Sequence, residues 1–386
     1  MSHTRAKPAV PTAAPSISSS PARLSTATKQ PTALIVAPQW VGDAVLSLPL
    51  IEELHPHYSE IDVLAVPAVA AVYRCSPSVR AVQEVPFSHG RLQWGLRRSI
   101  ALGLRSRYDI AIVLPNSLKS ALIPWLARIP IRRGMIGESR YLLINDRRHP
   151  PVTTSHPPRS DVGSRSHRPS MLAHYLQLAE SPKAVEAIDA MGLHRPKMVL
   201  PKAVSTPAAA GPRLVLCPGA EYGPAKQWPA EHFAQVAAAW ARQGPGHVVT
   251  ILGSPKERLL GESILAQAQS LLRADHAGQE SDRVENLAGQ TSLLQAFGWI
   301  AHSSLVISND SGLMHAAAAF DVPVVALFGS TDPGHTPAHS PKATIISLQL
   351  ACSPCFSRTC PLGTTACLTG IAPDAVIRLF PMRQGD

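Results

Sequence analysis

Apolar residues in this chain gather in short runs, and each run ends in a polar loop that leads into a longer apolar or helix-spaced stretch. The runs Ala33–Ala37, Ile61–Val66 and Asp109–Leu114 lie in the first half, and Leu214–Cys217, Val248–Leu252, Leu305–Ile307 and Val324–Phe328 in the second. Continuous apolar runs of this length predict strands buried on both faces, as in a parallel sheet covered by helices. Ala44–Leu54, Ala121–Ala127, Met171–Glu180, Glu231–Arg242 and the spans 257–272 and 292–302 are the expected helices between them. The pattern is α/β, and it restarts after a stretch dense in Pro and Ala.

The polar residues at the strand ends carry the candidate chemistry. Ser308-Asn309-Asp310-Ser311-Gly312-Leu313-Met314-His315, followed by four alanines, predicts a strand, a tight turn and a helix start. Asp310 or Ser311 is expected to cap that helix, and Gly312 leaves room for a ligand. The free N–H groups and the helix dipole attract an anion by roughly 0.3–1 kcal/mol per charge. His315, on the first turn, can add a donor. Gly42-Asp43 sits on the turn after the first strand, where Asp43 is either a helix cap or a site carboxylate. Pro115-Asn116-Ser117-Leu118-Lys119-Ser120 and the loop 218–229, with Gly219, Tyr222 and Lys226, occupy equivalent places. Neither G-x-G-x-x-G nor G-x-x-x-x-G-K-[ST] occurs, which disfavours a dinucleotide fingerprint and a P-loop.

With 386 residues the chain is long enough for two domains with their own cores. Residues 1–32 hold five prolines and no acidic residue, and predict a disordered tail. The expected divisions are a first domain over 33–200 with an insertion at 150–170, a linker at 201–212 and a second domain over 213–370. A C-terminal helix over 371–386 is expected to return to the first domain. No run of 18 apolar residues suggests a membrane-spanning helix.

Charge separates the halves. Residues 1–211 carry 25 Lys and Arg against 13 Asp and Glu, while residues 212–386 carry 11 against 13. A basic half suits a nucleic acid, a membrane surface or a phosphorylated substrate. Aromatic residues are only 5%, with no recognition motif, which places nucleic acid last. Cys352, Cys355, Cys360 and Cys367 form a C-x2-C-x4-C-x6-C cluster in the segment 352–367. Four thiols suit structural zinc or disulfides, although the spacing departs from a paired-knuckle pattern. Two Rossmann-like halves would thus face each other, one offering an anion-binding helix start and Lys226, the other Asp43 and arginines.

The stretches Trp40–Asp43, Leu114–Ala121, Pro218–Pro229 and Ser308–His315 resemble, in the same order, those of the lipopolysaccharide heptosyltransferases, glycosyltransferase family 9. The resemblance covers Ala33 to the C-terminus. It implies a GT-B fold with the active site between the domains, the first binding acceptor and the second ADP-heptose. It implies inverting transfer of L-glycero-D-manno-heptose from ADP-heptose to the first heptose of the inner core, without a cofactor or a catalytic metal. Asp43 matches the general base and Lys226 the lysine at the donor phosphates. Asp310, Ser311, Gly312 and His315 match the diphosphate turn, Glu257 a ribose contact and Thr291 the adenine position, with Gly219 and Tyr222 on the donor side. Asn116, Ser117, Lys119, Arg132 and Arg140 are the acceptor candidates. The implied partners are ADP-heptose, a phosphorylated heptosyl-Kdo-lipid A and the anionic inner leaflet, visited from the cytoplasm of a Gram-negative bacterium. Thr364 and Thr365 stand where some relatives have histidines, which weakens a mixed Cys/His metal site. The rivals are a family member adding heptose I or III, and a nucleotide-sugar epimerase on the same fold.

Overall fold

Each apolar run anticipated as a strand forms one, and the strands assemble into two separate parallel sheets. The computed structural model describes residues 30–87, 91–151, 168–181, 194–204, 211–274 and 281–381. Most of the expected tail, residues 152–167 of the expected insertion and residues 205–210 of the expected linker lie outside the described residues.

The first half contains β1 (Thr32–Val36), α1 (Val41–Leu46), α2 (Leu48–Leu54), β2 (Glu60–Ala65), α3 (Pro67–Arg74), β3 (Ala81–Glu84), α4 (Trp94–Gly103), β4 (Ile110–Val113), α5 (Leu118–Leu126), β5 (Ile131–Met135), β6 (Asp146–Arg148) and α6 (Met171–Leu176). The second contains β7 (Arg213–Cys217), α7 (Ala230–Ala241), β8 (Val248–Ile251), α8 (Arg258–Ala274), β9 (Val284–Asn286), α9 (Leu293–Ala301), β10 (Leu305–Asn309), α10 (Gly312–Ala319), β11 (Val324–Phe328), β12 (Ala343–Ser347), α11 (Ala366–Thr369) and α12 (Pro373–Ile377).

The sheet orders are β3-β2-β1-β4-β5-β6 and β12-β11-β10-β7-β8-β9. In each, the chain starts at a central strand, builds outward on one side, then returns to build on the other. The reversal lies between β1 and β4 in one sheet and between β7 and β10 in the other. Loops after such a strand pair diverge and leave a crevice at the carboxyl ends. All four motif stretches leave from these four strands.

Alternation along the strands explains the layers. Ile35 packs on one face with Leu46, Leu50 and Val69, while Leu34 packs on the other with Ala101, Leu104 and Ile123. In the second sheet, Leu216 faces Phe233 and Ile264, and Val215 faces Ile300 and Met314. The first core also includes Phe297, Ala316 and Ala319 from the second half, so apolar packing is continuous across the domains.

Two expectations are corrected. The helix expected over 44–54 is two helices, divided at Ser47, whose hydroxyl donates to Ala44 O at 2.8 Å just before Pro49. The arginine-rich stretch 128–148 contains β5 and β6. The Arg133 guanidinium is buried there because Asp146 (2.6 Å) and Glu180 (2.8 Å) accept from it. The C-terminal segment, as far as it is described, does not return to the first domain. α12 packs on α7, and Phe380 meets Trp240 edge-on with ring centroids 5.1 Å apart.

Candidate active site

Two helix starts, one from each domain, meet at the centre of the molecule. α1 and α10 pack against each other through glycines. A Cβ on Gly312 would lie 2.6 Å from Val41 Cβ, and one on Gly42 would lie 2.9 Å from His315 Cδ2. Both distances are below any real contact, so only glycine permits this approach. The approach sets Asp43, in the first turn of α1, close enough to Lys226 for the ammonium to act on its carboxyl.

The electrostatics are those of a partly dry site. Burial raises the Asp43 carboxyl to about 6, and Lys226 only partly counters this. Burial holds the His315 imidazole down at about 4, opposed by Asp310 and assisted by His339 and Lys226. His315 is therefore neutral at physiological pH and can serve as a donor without adding charge.

Lys226 Nζ donates to Asp310 Oδ2 at 2.5 Å, and Thr331 Oγ1 donates to the same oxygen at 2.6 Å. Asp310 therefore does not cap α10, nor does Ser311, whose hydroxyl lies 3.2 Å from Ser308 Oγ. The start of α10 lacks a side-chain cap, which leaves its dipole open to an anion. Asp310 and Lys226 form an ion pair that holds the ammonium beside the start of α10. Tyr222 lies under Lys226, with Nζ 5.0 Å from the ring centroid, and its hydroxyl donates to Phe356 O.

Glu257 accepts from Ser254 N at 2.7 Å in a capping box. Its carboxylate occupies the space that any side chain at position 219 would fill, with Oε1 2.0 Å from a Cβ built there. Thr291 follows the turn at Gly289 (φ +75°), whose N–H donates to Gly253 O at 2.9 Å. The donor-side candidates thus come from the loops after β7, β8, β9 and β10, at one edge of the second sheet.

On the other side, Asp43, Asn116, Ser117 and Lys119 line a cavity of about 410 Å³. Ser117 also caps α5, accepting from Ser120 N at 3.3 Å. The two remaining acceptor candidates do not line this cavity. Arg132 donates to Ile129 O and Leu143 O at 2.7 and 2.8 Å. Arg140 is 2% exposed and donates to Pro115 O, Met135 O and Asn116 Oδ1. Arg140 is thus a positioning residue for Asn116. The cavity instead brings in Gln39, Trp40, Arg91, Arg97, His174 and Tyr175, which were not singled out as site residues. In the sequence, Arg91 and Arg97 are two of five arginines between 91 and 107, with no motif to mark them.

The four C-terminal cysteines are free thiols that line one small pocket with Ala225. Backbone N–H groups from Thr365, Leu362, Thr364 and Gly363 hold the Cys360 thiol below its ordinary value. Among the described residues no group of three or more His, Cys, Asp or Glu is arranged to hold a metal ion. The segment braces the donor loop, since Ala225 N donates to Arg358 O at 3.0 Å.

Comparison with known proteins gives a consistent result. The family model for glycosyltransferase family 9 (heptosyltransferase) matches residues 97–366. Lipooligosaccharide heptosyltransferase 2 of Haemophilus influenzae is 39% identical over 328 residues, covering 82% of this chain and 88% of that protein. Lipopolysaccharide heptosyltransferase 2 of Salmonella typhimurium is 38% identical over 329 residues, covering 82% and 87%. The structure of Escherichia coli ADP-heptose lipopolysaccharide heptosyltransferase II matches with a TM-score of 0.72 at 33% identity, covering 90% of this chain and 96% of that one.

Proposed function

The chain belongs to glycosyltransferase family 9, the heptosyltransferases, and from that premise we propose how its residues divide the reaction. It is a GT-B glycosyltransferase of the heptosyltransferase II type, which adds heptose to the lipopolysaccharide inner core. The donor is ADP-heptose, bound by the second domain. The acceptor is the first heptose of a phosphorylated heptosyl-Kdo-lipid A, entering the 410 Å³ cavity of the first domain.

The Asp43 carboxylate takes the proton from the acceptor hydroxyl as its oxygen attacks the anomeric carbon. The bond from that carbon to the β-phosphate oxygen breaks, and ADP leaves with the electron pair. A single displacement inverts the anomeric centre. A carboxyl at about 6 is a better-matched base than one at 3.8, while still mostly ionised near neutrality. Charge building on the departing diphosphate is met by Lys226 and the start of α10, both set before the reaction begins. Glu257 and Thr291 hold the nucleoside, and Asn116, Ser117 and Lys119 hold the acceptor sugar. The protein works on the cytoplasmic face of the inner membrane, where its lipid-linked acceptor is anchored. Among the described residues no helix is long and apolar enough to cross a membrane.

The observation that carries this reading is the abutment of two helix starts, one carrying Asp43 in its first turn and the other the uncapped start of α10. Mass spectrometry of product formed from ADP-heptose and heptosyl-Kdo-lipid A tests it. Addition of one heptosyl group with release of ADP is expected. Donor consumed or epimerised without acceptor turnover would overturn it, and transfer only to acceptors lacking heptose would point to a heptosyltransferase I.

A further inference from the structure

The helices α4 and α5 cover the face of the first sheet opposite α1 to α3. Their inner sides, through Ala101, Leu104 and Ile123, are core. On the outer side of α4, Trp94, Arg98 and Leu102 recur every four residues and all are exposed. On α5, exposed Leu118 and Trp125 stand seven residues apart on one side. Trp94 and Trp125 are 48% and 43% exposed. The tryptophans Trp228 and Trp240 of the second domain are, by contrast, 1% exposed.

The two helices pack side by side. Arg97 joins their starts, donating to Leu92 O at 2.7 Å and Lys119 O at 2.9 Å. The exposed Trp94, Leu102, Leu118 and Trp125 thus stand on two adjacent helices. The surrounding charge is mainly basic: residues 87–131 hold seven Lys and Arg against one acid, Asp109, whose carboxylate accepts from Thr32. The one carboxylate from outside that stretch that a hydrogen bond shows at the start of α5 is Glu138, accepting from Leu118 N at 3.0 Å. Tryptophan and leucine interleaved with arginine on an in-plane helix face is the composition of a bilayer-interface surface. Exposed patches of this kind mark an interaction site, and the charge selects an anionic partner.

We propose that the outer face of α4 and α5 is a docking surface for an anionic phospholipid bilayer. Docked there, the starts of both helices, and with them the cavity-lining Arg91, Arg97 and Lys119, lie at headgroup level, where a lipid-linked acceptor presents its sugars. The inference rests on the lipid-linked acceptor of the proposed function and adds the face that meets the lipid.

Co-flotation of the full chain with acceptor-free vesicles of phosphatidylethanolamine and phosphatidylglycerol tests it. Wild type should float at low salt, less at high salt, and not with pure phosphatidylcholine. Arg98→Gln combined with Arg105→Gln, at an exposed position just past the end of α4, should weaken partitioning about 30-fold, two charges at roughly 1 kcal/mol each. Trp94→Ser combined with Trp125→Ser should weaken it at least about fivefold. Both variants should transfer heptose to a water-soluble, deacylated acceptor within about twofold of wild type, since none of these residues lines the cavity. Flotation unchanged by both pairs, or absent in wild type while soluble transfer proceeds, overturns the docking face and leaves the transferase reading intact. Loss of a dimer in the tryptophan variant, without vesicle binding by wild type, would overturn it in favour of a second copy of the chain.

Discussion

Replacing Asp43 with asparagine should make the protein more stable, by an amount that depends on pH. Burial raises this carboxyl from 3.8 to about 6. At 1.36 kcal/mol per pH unit, that difference corresponds to about 3 kcal/mol. The sign follows from proton binding. Between about pH 4 and 6 the native state holds a proton that the unfolded chain has lost. Wild-type stability therefore falls as pH rises through that window, and the full cost of the buried anion is present above it. Asparagine keeps the shape and cannot ionise. Asp43→Asn should then gain about 3 kcal/mol at pH 8 and about half of that at pH 5. Urea unfolding of both proteins at the two pH values measures the difference directly. A gain that is equal at both, or a loss at pH 8, would refute the claim that Asp43 is held ionised in a dry site.

Lys226→Met should weaken ADP-heptose binding roughly 10- to 100-fold by calorimetry, the value of a charged hydrogen bond; an unchanged affinity would remove Lys226 from the donor site. Gly312→Val would place a Cβ 2.6 Å from Val41 Cβ and should cost about 1–3 kcal/mol; an unaltered melting temperature would show that the two helix starts do not abut. Arg140→Met strips donors from the half-buried Pro115 and buried Met135 carbonyls and should cost about 1–3 kcal/mol. It should also raise the acceptor KM while leaving donor affinity intact, and a change in donor affinity instead would contradict the positioning role. Activity should fall tenfold per pH unit below about 6 as Asp43 protonates, with no separate limb from His315, which titrates near 4; a profile flat to pH 5 would contradict the base assignment.

The central strands were legible because they are apolar on both faces and end in polar loops. The outer strands were not. β3 (Ala81–Glu84) is largely exposed, β6 is only three residues long, and β5 carries Arg133, whose burial depends on Asp146 and Glu180, 13 and 47 residues away. The same reason separates the site residues. Asp43, Asn116, Lys226 and the 310–315 turn stand at the ends of the four strands flanking the reversals, so a strand pattern alone locates them. Arg132 and Arg140 offered no such marker, because an arginine that braces backbone carbonyls and one that faces a cavity look alike in sequence. Asp310 was expected to cap α10, but its carboxylate accepts from a lysine instead. Its partner, Lys226, lies 84 residues away.

The central claim is that a carboxylate on one domain activates an acceptor hydroxyl against a donor held by the other. Single-turnover heptosyl transfer by Asp43→Asn, with ADP-heptose saturating, tests it most directly. The account predicts unimpaired donor binding and a transfer step slower by about 10²–10⁴-fold. Transfer at the wild-type rate would contradict it.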